Sequence, residues 1–140
     1  MPNKTILIFD NDSHIKWALK TFLESEKYTV ITGDTLNGTL GNFSEIKVSG
    51  LITEYWANHP RALDTIRELK RKFPEAYVMM LTNNEVEENE YEEIINSGVD
   101  DYFLKPCSFK KILLHLKKGL KQHDIFLQKF SLSRNDLKFT

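Results

Sequence analysis

Asp10-Asn11-Asp12 places two carboxylates and an amide in three consecutive residues, directly behind the apolar run Ile6-Leu7-Ile8-Phe9. Three further polar residues stand in the same relation to apolar runs. Glu54 follows Gly50-Leu51-Ile52-Thr53, Thr82 follows Tyr77-Val78-Met79-Met80-Leu81, and Lys105 follows Asp101-Tyr102-Phe103-Leu104. A carboxylate is a usable nucleophile and a ligand for a hard cation, whereas a lysine neutralises negative charge on an anion. Such a set suits a phosphate or a group that imitates one. It has chemical meaning only if the fold gathers these residues into one place.

The intervening sequence supplies elements that would do so. The apolar runs are short, uninterrupted and rich in strand formers, as expected of parallel strands buried on both faces, and Tyr28-Thr29-Val30-Ile31-Thr32 reads as one more. Between them, apolar residues recur at helical spacing. Ile15, Ala18, Leu19, Phe22 and Leu23 predict a helix capped by Ser13, and Leu36, Leu40, Phe43 and Ile46 a helix weakened by Gly38 and Gly41. Leu63, Ile66, Leu69 and Phe73 predict a helix ended by Pro74, and Tyr91, Ile94 and Ile95 mark one over 85–97 stopped by Gly98. Phe109, Ile112, Leu113 and Leu116 begin the last, which continues through Leu120 toward Phe126, Leu127 and Phe130.

Five strands alternating with five helices imply an α/β doubly wound sheet, because parallel neighbours need right-handed crossovers that lay helices on both faces. In such sheets the functional crevice lies beyond the carboxyl ends of the strands. Asp10, Asn11, Asp12, Glu54, Thr82 and Lys105 all fall there. Composition agrees with one domain: 140 residues, 41% hydrophobic, bound a single core and exclude a large enzyme. Nineteen basic against twenty acidic residues give a net charge of −1, which excludes a global positive field for nucleic acid. One cysteine, Cys107, forms no internal disulfide, and with four scattered histidines it makes no tetrahedral metal site, so a reducing cytoplasm is expected. The apolar runs are too short to span a membrane.

Over roughly residues 4–122 the chain resembles the receiver domain of two-component response regulators. The motifs that carry the resemblance are Ile-Leu-Ile-Phe-Asp10-Asn11-Asp12, the hydroxyl Thr82, and Asp101-Tyr102-Phe103-Leu104-Lys105-Pro106. Asn11 through Leu19 looks closest to receivers of enhancer-binding transcription activators. The resemblance implies a three-layer α/β/α flavodoxin-like fold with a five-stranded parallel sheet of order 2-1-3-4-5. It also implies phosphorelay signalling, in which a strand-end aspartate takes a phosphoryl group from a histidine kinase. An acidic pair holds Mg²⁺ beside that aspartate, a lysine neutralises the phosphoryl oxygens, and a cis Lys-Pro bond aims the lysine. Thr82 and Tyr102 match the family's switch pair.

Two positions depart from the pattern. The residue matching the phosphoacceptor is Glu54, and the second member of the acidic pair is Asn11. One extra methylene advances the carboxylate by about 1.5 Å, into space that the phosphoryl group and metal require, and in-line attack tolerates such displacement poorly. Asn11 offers an amide oxygen without charge, so Mg²⁺ is expected to bind weakly. The expectation is an atypical receiver, or pseudo-receiver, that does not run the phosphorylation cycle. Glu54 would be held by Lys105 and Thr82 and would imitate phosphoaspartate in part, because a carboxylate carries less charge than a phosphoryl group. Thr53 should face away from Glu54 by strand alternation.

A structural use stands beside each role: Asp10 at a helix amino end, Thr82 as a cap, Tyr102 as packing. An enzymatic alternative also exists, since Asp10-Asn11-Asp12 fits the nucleophile and general acid of Mg²⁺-dependent haloacid-dehalogenase-type phosphatases. No further acidic metal pair follows Lys105-Pro106, which weighs against it. A flavin-binding relative lacks the expected phosphate loop after the first strand. Glu85, Glu87, Glu88, Glu90, Glu92 and Glu93 crowd the helix before the fifth strand, and Lys110, Lys111, Lys117, Lys118 and Lys121 the helix after it. Opposite charges flanking one strand are self-complementary about a two-fold axis, so a homodimer through these elements is expected, beside a histidine kinase or other signalling protein as partner. Residues 123–140 are expected to extend the last helix as a stem or linker, outside the 1–122 domain, with too few residues for an effector domain.

Overall fold

The computed structural model describes residues 4–33, 47–55 and 61–138. In chain order they form β1 (Thr5–Phe9), α1 (Ser13–Ser25), β2 (Thr29–Gly33), β3 (Gly50–Glu54), α2 (Arg61–Lys72), β4 (Tyr77–Thr82), α3 (Glu88–Asn96), β5 (Asp101–Leu104) and α4 (Phe109–Lys138). The expected helix at Leu36, Leu40, Phe43 and Ile46 lies outside the described residues. The five strands form one parallel sheet of order β2-β1-β3-β4-β5, with Ile8 opposite Thr32 and Ile52, and Thr53 opposite Met80.

Burial explains why the strands carry unbroken apolar runs. Leu7, Phe9, Leu51, Val78 and Met80 pack on one face with Leu63, Ile66 and Leu69 of α2 and Ile94 of α3. Ile6, Ile8, Ile52, Tyr77 and Met79 pack on the other with Leu19 and Leu23 of α1 and Ile112, Leu116 and Leu120 of α4. The sheet therefore lies between two cores, and its strand ends open onto loops.

Two local expectations are corrected. Asp12, not Ser13, caps α1: its backbone is extended and its carboxylate accepts from the backbone N–H of His14 at 3.0 Å and of Ile15 at 3.2 Å. A carboxylate is the better acceptor for the positive helix end. The helix expected over 85–97 begins only at Glu88, behind Glu87, which makes no side-chain cap bond, and it stops before Gly98 at φ +115°. In the preceding loop, Asn84 is bonded to Thr82 and does not enter the helix.

Helix α4 approaches the sheet closely at Gly119. A Cβ there would lie 2.3 Å from Cδ2 of Tyr77, a ring that is 1% exposed and whose hydroxyl donates to Asp101. Gly119→Ala is therefore expected to lower stability by about 1–3 kcal/mol through overpacking, measured as a fall in urea midpoint. An unchanged midpoint would show that α4 moves aside freely.

Candidate functional site

Four strand ends converge as the sequence pattern requires. Asp10 leaves β1, Glu54 ends β3, Thr82 ends β4, and Lys105 follows β5, its backbone N–H bonded to the Thr82 carbonyl at 2.7 Å. Asp10, Glu54 and Thr82 are buried, at 4%, 4% and 3% exposure. Buried carboxylates need compensation, and Lys105 provides it: its Nζ donates to Asp10 Oδ2 at 2.7 Å and to Glu54 Oε1 at 2.9 Å. The Lys105–Pro106 peptide is cis, the isomer expected, and Pro106 itself is exposed.

The side chains of three expected members stand outside the Lys105–Asp10–Glu54 contacts. Asn11 is exposed, and Asp12 is exposed with its carboxylate committed to the α1 cap. Thr82 does not hold Glu54: its hydroxyl donates to the Asn84 carbonyl at 3.1 Å and accepts from the Asn84 N–H at 3.4 Å. Glu54 Oε1 instead accepts from the side-chain amide of Asn83 at 3.1 Å. Asn83 was missed in the sequence because it is one residue beyond the strand end and its amide carries no charge. Its position directly after Thr82 was the available signal. Tyr102 packs edge-on to Tyr91, with centroids 5.7 Å apart, and its hydroxyl donates to the same Asn84 carbonyl at 3.3 Å. Thr53 donates its hydroxyl to the Glu54 carbonyl at 3.2 Å. A cavity of about 420 Å³ adjoins the cluster, with Asn83 and Lys105 at its edge and Ile15, Leu19, Phe109 and Ile112 in its wall.

The two carboxylates titrate in opposite directions. Burial opposes ionisation of Asp10, but the Lys105 ammonium, the Asp12 backbone N–H at 2.9 Å and a proton on Glu54 outweigh it, and its pKa falls below 3.8. Glu54 rises above its ordinary 4.5, because burial and the Asp10 carboxylate together outweigh Lys105. Lys105 is raised: its two carboxylates overcome the effect of burial. Like charges sharing one cation divide the proton this way. Glu54 Oε2, buried without a hydrogen-bond partner, is where a proton would create a donor.

A consequence for stability follows. A carboxyl group whose pKa is raised by folding contributes stability below its unfolded value, and that contribution is lost as pH rises through the folded value. Glu54→Gln keeps the acceptor for Lys105 and removes the titration. The variant is therefore expected to gain stability relative to the parent at pH 7. The advantage should shrink as pH falls toward 4.5, the ordinary glutamate value. Thermal melts across that range would show a pH-independent difference if Glu54 stays fully ionised.

The donor set as arranged is a poor fit for Mg²⁺. Magnesium needs near-octahedral oxygen ligands with one or two ionised carboxylates. Here Lys105 lies on both carboxylates, and Asp12 is turned into a helix cap. Among the described residues no group of three or more His, Cys, Asp and Glu side chains is placed to hold a metal ion. The phosphatase alternative is likewise unsupported, since Asp12, its required general acid, is occupied by the N–H groups of α1.

A doubly wound α/β sheet of order 2-1-3-4-5 with a carboxylate–lysine crevice at its strand ends defines a flavodoxin-like signalling module of the receiver type. Residues 6–117 match the family model of the response regulator receiver domain, and the chain belongs to that family. Among its relatives is the response regulator protein VraR of Staphylococcus saprophyticus, 23% identical over 128 residues, which cover 90% of this chain and 60% of that protein. The transcriptional regulatory protein ResD of Bacillus subtilis is 22% identical over 117 residues, 84% of this chain and 48% of its own. This chain thus spans about half to three-fifths of the length of the relatives it matches. Among solved structures, a CheY-like receiver domain protein of Methanospirillum hungatei superposes with a TM-score of 0.78 at 24% identity, covering 87% of this chain and 97% of that one. Two-component response regulation is the function of this family, and its receiver domains are generally signalling modules. No helix among the described residues is long and apolar enough to cross a membrane.

Proposed function

We propose that this chain is an atypical receiver that acts as a regulatory and dimerisation module without completing phosphoryl transfer. The observation that carries this reading is Glu54. It stands at the strand end where the family places its aspartate, is one methylene too long, has Oε1 engaged by Lys105 and Asn83, and has Oε2 buried. Nucleophilic displacement needs the attacking oxygen accessible and in line. Mg²⁺ binding is expected to be weak, and no catalytic turnover is expected. The phosphoryl mimicry of Glu54 is partial at most, because its pKa is raised and Thr82 bonds Asn84 instead. Incubation with acetyl phosphate and Mg²⁺, followed by intact-mass measurement, is expected to give unmodified protein. Stoichiometric addition of a phosphoryl group at Glu54 would falsify the reading.

Its contacts follow from the charge pattern. Tyr91 and Ile95 of α3, Leu104 of β5 and Leu114 of α4 are exposed apolar residues on the segments that carry the glutamates of 85–93 and the lysines of 110–121 and on the strand that joins them in sequence. A second copy related by a two-fold axis would cover this face and pair the charges. A histidine kinase or another signalling protein is the other partner, in a cytoplasmic setting, with no nucleic acid or membrane contact from this domain. Beyond residue 122, α4 continues to Lys138 and would serve as a stem or linker. Sedimentation velocity should show a dimer that weakens with salt, and a monomer at every ionic strength excludes this interface.

A further inference from the structure

The sequence after Glu54 continues into Tyr55, whose backbone N–H extends the sheet by bonding the Leu81 carbonyl at 3.0 Å. Alternation turns its side chain to the sheet face opposite that of Glu54, where it packs in the core cluster of Ile94 with Val86 and Tyr102. From there its hydroxyl donates to the carboxylate of Glu90, in the first turn of α3. Burial and the Glu90 carboxylate push the Tyr55 hydroxyl well above its ordinary pKa of 10.0, so it remains a donor throughout the working range. A bond to an ionised acceptor is stronger than a neutral one and favours one geometry.

Thr82 reaches α3 by a different and weaker route. Its hydroxyl bonds Asn84 in the loop, sharing that carbonyl with Tyr102, and also interacts with the Tyr102 hydroxyl. Neither bond touches α3 itself. The helix is fastened to the sheet through Glu90, and Tyr91, next in sequence, has its ring against Tyr102.

We infer that Tyr55 and Glu90 form a direct link that positions α3 on the end of β3 independently of Thr82, so that Tyr91 and Ile95 are presented to the second copy of the chain in one fixed arrangement. The inference rests on the reading that the crevice does not run a phosphoryl cycle, and it names how the contact face is then set. In a receiver whose signal passed through the hydroxyl of Thr82, movement of the loop would have to displace α3. Here the helix has its own tether to the strand that carries Glu54.

Amide hydrogen exchange over residues 88–96 tests this without any phosphodonor. Tyr55→Phe keeps the ring in the core and removes only the donor, so exchange of the hydrogen-bonded amides of α3, from Tyr91 onward, should accelerate about tenfold or more, with β4 protection unchanged. Glu90→Gln should loosen the same amides. Because the two residues act as one unit, the double variant should be no faster than the more affected single variant. Thr82→Val, which removes the hydroxyl at nearly constant volume, should change α3 exchange by about twofold or less. Unaltered exchange in Tyr55→Phe, additive single effects, or equal acceleration by Thr82→Val would each overturn the link. Failure of the phosphorylation-independent reading is visible separately, as added mass at Glu54, whatever the exchange of α3.

Discussion

Restoring aspartate at both departures, Glu54→Asp with Asn11→Asp, is expected to convert the chain into one that accepts a phosphoryl group from acetyl phosphate in the presence of Mg²⁺. The rate should exceed that of the parent by about 100-fold or more. Shortening residue 54 withdraws its carboxylate by about 1.5 Å and opens the space between it and Lys105. A second ionised carboxylate at position 11 supplies the charge that a hard cation requires. Each change alone should give less, because one leaves the metal weakly held and the other leaves the nucleophile misplaced. Lys105 and Thr82 are already at their strand ends, so no other residue needs to be introduced. Phosphorylation is read by intact mass over time. A double variant as inert as the parent would show that the crevice is disabled by something besides these two positions.

Lys105→Met is expected to lower stability at pH 7 by about 3–5 kcal/mol, the usual consequence of leaving a buried charge without its partner. The methionine fills similar volume, so the loss is electrostatic and not a cavity effect. Lys105 bonds both buried carboxylates, and without it Asp10 and Glu54 stand as like charges in a poorly solvated crevice. Their folded pKa values would then lie above their unfolded ones. The destabilisation is therefore greatest above the ordinary carboxylate range and fades as pH falls below it. Adding Glu54→Gln should recover part of the loss, because one of the two uncompensated charges is gone. Urea denaturation at neutral and acid pH measures all of this. A loss under about 1 kcal/mol at pH 7 would mean that the cluster behaves as a solvated surface pair.

Both predictions act on residues that the sequence picks out, and the reason is periodicity. Each apolar run ends at the polar residue in question, so the strand ends at Phe9, Glu54, Thr82 and Leu104 were legible from hydrophobic patterning alone. Parallel strands must leave the sheet on the same side, and that rule alone collects Asp10, Glu54 and Lys105. Opposite charge then makes their contact favourable once they are buried. What patterning misjudged was the partner of each polar atom. Ser13 and Asp12 are equally good cap residues on paper, and only the extended backbone at Asp12 decides between them. The same choice removes Asp12 from the crevice, and with it one ligand that the triplet seemed to offer.

Thr82 and Asn83 differ in the same way. Sequence assigns the hydroxyl to Glu54 because both stand at adjacent strand ends, yet the loop after β4 folds back so that Asn84 satisfies Thr82. The neighbouring Asn83 amide then reaches Glu54. Hydrogen-bond pairing within a few residues depends on loop dihedrals, which carry no hydrophobic signature.

The sequence by itself determined the alternating α/β order, the strand-end location of the crevice and the two residue types that set it apart from its family. Those properties depend on periodicity and on side-chain length, which are written along the chain. Only the tertiary structure decided that one lysine serves two carboxylates, that Glu54 holds its proton more tightly than Asp10, and that Tyr55 reaches across to Glu90. Those are distances between residues 35 to 95 positions apart, and they exist only after the sheet has closed and excluded water from the space between them.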